Sequence, residues 1–143
     1  MSEQKFAIEA SAQRIIDADR DILEVFGMQV VHAYAGRCVV QAQVPPKLIN
    51  AAGFAHGSIA YALLDTACAY ALASISLRGV TVHGDTTYVA AAKAEDSLMA
   101  QVDILSHSRR TASLRGECYI EGTGDKKLCA HGSFVFQLIT PRT

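Results

Sequence analysis

The hydrophobic positions change period along the chain, and each change predicts a different element. Between residues 12 and 26, Ala12, Ile15, Ile16, Ile22, Leu23 and Phe26 recur at helical spacing, while Arg14, Asp17, Arg20, Asp21 and Glu24 fill much of the rest. This predicts an amphipathic helix that stops near Gly27. The period then falls to two, with Cys38, Val40, Ala42 and Val44 alternating with more polar neighbours. Strands are expected over 28–34 and 37–44, turning at Ala35-Gly36 and ended by Pro45-Pro46. From residue 57 to 76 apolar side chains occur all round a helical wheel, so water cannot cover that helix, and a sheet, a partner helix or both must enclose it. Its many alanines, Ala60, Ala62, Ala67, Ala69, Ala71 and Ala73, leave room for backbone to approach closely. Beyond Arg78-Gly79 four more strands are expected, over 80–91, 98–105, 111–120 and 127–138. The turns at 107–110 and 122–125 are short enough to make antiparallel neighbours.

One long buried helix with five or six mostly antiparallel strands defines an α+β domain in which a sheet curls around the helix. No repeat, linker or low-complexity segment divides residues 1–143, so a single domain is expected. A single layer of sheet leaves an edge strand open, which predicts a homodimer. Composition narrows the function. Thirteen Lys and Arg balance fourteen Asp and Glu, for a net charge of -1, and without a long basic run a nucleic-acid partner is not expected. The start carries no signal-like segment, and the apolar run 59–75 is interrupted by Asp65, so no membrane association and a cytoplasmic location are expected. Cys38, Cys68, Cys118 and Cys129 form no ligand spacing and read as reduced core thiols. The histidines His56, His83, His107 and His131 are scattered without a metal motif, and there is no nucleophile elbow, dinucleotide loop or phosphate loop. Metal ligation in space stays open but has no support in these spacings.

Asp65 is the one acid in the apolar helix. Isolated charges are costly to bury, so it either faces a gap in the sheet, pairs with Arg78 or a partner subunit, or does chemistry. A carboxylate in an apolar cleft has its proton affinity adjusted for work as a general base or serves as a nucleophile. Gly57, at the helix start, offers a free backbone N–H at the positive end of the helix dipole, suited to polarising a carbonyl. Eight residues at ~1.5 Å of rise put the two groups ~12 Å apart along the axis. One carbonyl carbon cannot reach both on the same helix, but two antiparallel helices across a dimer interface would bring Gly57 of one subunit near Asp65 of the other.

The series Asn50-x-x-Gly53-x-x-His56-Gly57, followed by Leu64-Asp65, Ala67 and Ala69, resembles the signature of hot-dog fold acyl-coenzyme A thioesterases, and DTACAYALAS resembles the phenylacetate-degradation, PaaI-like, subfamily. The resemblance covers nearly the whole chain, from the first helix through the last strand, and includes the turn SRRTA at 108–112. It implies hydrolysis of an acyl- or aryl-coenzyme A thioester to free acid and coenzyme A, in a dimer or a dimer of dimers, with no cofactor beyond the substrate's own coenzyme A. It makes Asp65 the catalytic carboxylate and Gly57 the polarising amide, with Asn50 and His56 orienting substrate, water or loop. Thr81 stands where some members carry an assisting hydroxyl. Ser58 replaces a second glycine common in the family, and Ala91 to Glu95 replace its usual proline and glycine.

Further substrate contacts are read from position and chemistry. Arg109 and Arg110, on a hairpin, suit the anionic phosphates of coenzyme A, with Lys93 or Arg142 as contributors. Tyr61, Leu64, Cys68, Phe54 and Tyr88 are candidates to line the acyl pocket. His83 and Asp85 share a strand face that reaches substrate or solvent. Two other functions fit the same features: a non-catalytic acyl-coenzyme A binding dimer, and an enoyl-thioester hydratase of the same fold, for which no obvious close Asp/His pair is present.

Overall fold

A computed structural model describes residues 5–122 and 124–139. Helices α1 (Ala10–Ala18) and α2 (Arg20–Phe26) lead into strands β1 (Met28–Tyr34) and β2 (Arg37–Gln43); after a 3-10 turn at Pro46–Leu48 comes the central helix α3 (Gly57–Ala73), and then β3 (Gly79–Tyr88), β4 (Ser97–His107), β5 (Thr111–Glu121) and β6 (Lys127–Leu138). The six strands form one antiparallel sheet in the order β1-β2-β4-β5-β6-β3. The sheet wraps α3, which packs against strands from β1 to β6. This is the hot-dog architecture implied by the sequence.

The expected first helix is broken in two. Asp19 leaves helical geometry at φ -96° and ψ 15°, and its carboxylate accepts a 2.8 Å hydrogen bond from the Tyr70 hydroxyl. Tyr70 is otherwise enclosed in the core. A buried phenol needs a partner, and the bend at Asp19 supplies one from outside α3. The central helix ends three residues earlier than its apolar pattern suggests. Ser74 donates to the Ala71 carbonyl at 2.6 Å and accepts from the Gly36 N–H at 2.9 Å, and Ser76 is left-handed at φ 62°.

The core is the inner face of the sheet against α3: Cys38, Val40 and Ala42 from β2, Leu98, Ala100 and Val102 from β4, Leu114 and Cys118 from β5, and Ala130, Phe134 and Phe136 from β6. All four cysteines are free and buried. β5 comes close to the helix at Gly116, where an added Cβ would fall 2.7 Å from the Leu64 side chain. Among the described residues, no helix is long and apolar enough to cross a membrane.

β3 holds the edge position that the sequence leaves open. It pairs with β6 on one side only, and Val80, Val82, Tyr88 and the following Val89 are 50–55% exposed along it. A register shift between Thr81 and His83 marks a bulge near its start.

Candidate functional site

The start of α3 is built by the loop before it. Asn50 bends that loop by accepting from the N–H groups of Ala52 at 3.0 Å and Phe54 at 3.1 Å, and Gly53 completes the turn at φ 85°, where a side chain would be strained. His56 is the N-cap: its Nδ1 accepts from the Ser58 N–H at 3.0 Å and lies 2.8 Å from Ser58 Oγ. Ser58, the departure from a second glycine, thereby meets the capping imidazole. The Tyr88 hydroxyl donates to the Gly57 carbonyl and ties the end of β3 to the first turn of the helix. The Gly57 N–H has no acceptor among the described residues.

That amide borders a cavity of about 440 Å³ lined by Asn50, Phe54, His56, Gly57 and Tyr88, by the segment Val89 to Ala92, and by Ile59, Ala60, Leu98 and Cys129. Five of the expected site residues are thus gathered at one place. The alanines of 90–92, Leu98 and Cys129 were not anticipated. The three alanines carry no polar or aromatic signal, and they enter the wall because the chain peels away from the sheet after Tyr88, where the Ala55 N–H bonds the Ala92 carbonyl at 2.8 Å.

Asp65 lies two turns further along α3, outside this cavity. Its Oδ1 accepts from the Thr81 hydroxyl at 2.6 Å, so the partner is Thr81 rather than Arg78. Desolvation raises the carboxyl's pKa above its ordinary value, and the Thr81 hydrogen bond partly opposes that rise. Tyr61 stands one turn before Asp65, edge-to-face on Phe134 at 5.3 Å. Burial and the neighbouring Asp65 charge push its phenol up as well. Gly84 of β3 lies against the Tyr61 hydroxyl, and a Cβ there would collide with it.

The remaining expected residues separate. Leu64 and Cys68 are fully enclosed and belong to the core, not to the cavity wall. Gly84 faces Tyr61 and Phe134 on the inner side of β3, so His83 and Asp85 project to the outer side, where His83 Nε2 lies 3.6 Å from Asp85 Oδ2. Arg109 and Arg110 are displayed on the β4–β5 turn, whose Ser108 hydroxyl accepts from the N–H groups of Arg110 and Thr111 at 3.3 and 3.2 Å. With Val82, Thr111, Gln137 and Leu138 they line a second groove of about 710 Å³. Register places this groove at the Thr81 end of β3, because Thr111 pairs with Gln137 and Gly79 with Leu138. Lys93 lies in the loop beyond the first cavity, its N–H bonded to Asp96 at 2.8 Å; Arg142 lies outside the described residues. No group of three or more His, Cys, Asp or Glu suited to a metal occurs among the described residues.

The sheet wrapped around α3 defines the hot-dog class, and the chain belongs to the Thioesterase superfamily, whose family model matches residues 52–127, more than half of its length. Within that class it is similar to a mutant form of the phenylacetic acid degradation protein PaaI from Thermus thermophilus, at 30% identity over 82% of this chain and 97% of that one, with a TM-score of 0.75. The E. coli PaaI protein from the phenylacetic acid degradation operon superposes with a TM-score of 0.80 at 21% identity, covering 88% of this chain and 94% of that one. The protein smu.793 from Streptococcus mutans UA159, bound to acetyl CoA, gives 0.75 at 22% identity, over 81% and 91%. These last two likenesses are of fold. No curated protein matches the chain.

Proposed function

We propose that the protein hydrolyses acyl- or aryl-coenzyme A thioesters in a homodimer, with each site shared between subunits. The observation that carries this reading is the desolvated Asp65 carboxyl held by Thr81, in a helix whose free Gly57 amide is too distant to serve the same carbonyl. Both segments have a common midpoint. Tyr61 is halfway from Gly57 to Asp65, and Gly84 with Asp85 is halfway from Thr81 to Tyr88; Tyr61 and Gly84 touch. A two-fold axis at that contact pairs the open β3 edge with its copy in antiparallel fashion, and sets the Gly57–Tyr88 end of one subunit against the Asp65–Thr81 end of the other. It also buries the exposed valines of β3.

In this arrangement the partner's Gly57 N–H polarises the thioester carbonyl, and the oxyanion grows at the positive end of α3. Asp65 either takes a proton from the attacking water or attacks directly to give a mixed anhydride that water then opens. The C–S bond breaks and coenzyme A leaves with a proton on sulfur. The acyl group occupies the cavity beside Tyr88 and Phe54, and the Arg109–Arg110 groove receives phosphate. The acetyl CoA bound by the Streptococcus mutans relative supports this ligand class. A cytoplasmic site of action follows from the same substrate.

Release of free thiol from a panel of aryl- and fatty-acyl coenzyme A substrates tests the proposal. Turnover that falls ~10²-fold or more in Asp65→Asn, with assembly and analogue binding retained, places Asp65 in the chemical step. A folded dimer that turns over nothing on the panel removes the assignment, and binding of intact thioester without hydrolysis would replace it with a binding function.

A further inference from the structure

The wall of the Gly57 cavity contains a pair of thiols that the hydrolytic reading does not use. Cys129 lines the cavity. Across the sheet, β5 and β6 pair Cys118 with Ala130 and Tyr119 with Leu128, so Cys129 is the extra residue of a β-bulge. A bulge interrupts the alternation of faces, and Cys129 and Ala130 are consecutive buried residues in a strand that otherwise alternates. Cys129 is thereby turned to the inner face where Cys118 already lies.

Each thiol perturbs the other: Cys129 pushes the Cys118 thiol up, and Cys118 draws the Cys129 thiol down. Cys118 is opposed to Ala130, the neighbour of Cys129, so the bulge sets Cys129 beside Cys118 on one face of the sheet, the kind of juxtaposition that a disulfide, with its Cα separation of ~4.4–6.8 Å, requires. Cys38 and Cys68 differ from Cys129. Both are wholly enclosed, neither lines the cavity, and burial raises both thiols.

We propose that Cys118 and Cys129 are an oxidisable dithiol in the cavity wall, converted by a hydroperoxide to an intrasheet disulfide. The peroxide enters through the cavity. The Cys129 thiolate attacks its nearer oxygen, the O–O bond breaks, and the distal oxygen takes a proton and leaves as alcohol, or as water from hydrogen peroxide. Cys118 then attacks the sulfenic sulfur of Cys129, gives up its proton, and expels the hydroxyl as water. Two thiols lose two electrons in total and one peroxide gains them. The cross-link acts on the cavity because the Cys129 carbonyl accepts from the N–H groups of Val89 at 2.8 Å and Ala90 at 3.2 Å, both of which line it.

The chemistry is tested without reference to hydrolysis. The full-length reduced protein is treated with a small excess of hydrogen peroxide, quenched, denatured, alkylated and mapped by mass spectrometry. The expected result is loss of two of the four thiols, a mass lower by two hydrogens, a peptide linking residue 118 to residue 129, and full recovery with dithiothreitol. In Cys118→Ala the reaction should stop at a Cys129 sulfenic acid trapped by dimedone. Retention of all four thiols overturns the proposal. So does a cross-link through Cys38 or Cys68, or conversion of Cys129 to sulfinic or sulfonic acid while Cys118 still alkylates.

Discussion

Replacing Gly57 with proline deletes one N–H from the candidate site and leaves the surrounding backbone in place. Proline is favoured at the first helical position, where the amide has no intrahelical partner. It requires the residue before it to be extended, and His56 already has φ -58° and ψ 141°. A Cβ at Gly57 meets only the Tyr88 ring, at 3.5 Å, an ordinary contact. The folding cost of G57P is therefore about 1 kcal/mol or less, while loss of an oxyanion donor costs about 3–4 kcal/mol, or ~10²–10³ in kcat. Steady-state thiol release, thermal melting and subunit mass measured together separate the two effects. Mixing then locates the groups. When G57P and D65N chains are co-refolded in equal amounts, half of the dimers are hybrids; each hybrid carries both lesions in one site and neither in the other, restoring about a quarter of parent activity. Near-parent turnover by G57P would refute the amide's role, and no recovery on mixing would refute the shared site.

Three further perturbations follow. Because burial raises the Asp65 carboxyl, its stabilising contribution is full below the unfolded pKa and lost as pH rises through the folded one, so Asp65→Asn should gain melting temperature relative to the parent at about pH 8 and lose that gain near pH 4; an equal offset at both would count against it. Thr81→Val removes the hydrogen bond that lowers Asp65 and should carry the acid limb of kcat/KM to higher pH, whereas an unmoved or lowered limb would exclude Thr81 as its tuning partner. Gly84→Ala would place a Cβ 2.9 Å from Phe134 ring carbons and against the Tyr61 hydroxyl; denaturant unfolding should show a loss of about 1–3 kcal/mol, and an unchanged midpoint would mean that this contact relaxes freely.

The fold was legible where a single period ran through an element. The strand expected over 111–120 matches β5 to within one residue, and the all-round apolar helix gave both α3 and the wrapping sheet. Boundaries slipped where a polar side chain was recruited from a distance. Asp19 broke the first helix for the sake of Tyr70, and Ser74 closed α3 for the sake of Gly36. Neither long-range partner leaves a trace in local spacing. At the site, Asp65 and Gly57 stood out because each is an anomaly in its surroundings, a charge among alanines and a glycine at a helix start. Leu64 and Cys68 were offered as pocket residues, but one turn apart they share a helical stripe that faces the core. The alanines of the cavity wall were silent, since a small apolar residue reads alike in a wall and in a core.

The order of strands in the sheet also sets an order in time. β3 is made before β4, β5 and β6, yet its sheet partner is β6, the last of the described strands, so Thr81 must wait for Phe136, more than fifty residues later, before it is held beside Asp65. Pairing so distant in sequence carries a loop-closure cost and slows folding. Until β6 emerges, α3 and its acid face a sheet still missing two adjacent strands, and the nascent chain has an apolar helix with no cover on that side. A chain released before residue 127 would retain the Gly57 loop and the Asp65 helix but lose the strand that joins Thr81 to the sheet. Early termination would therefore yield an aggregation-prone fragment rather than a weakened enzyme.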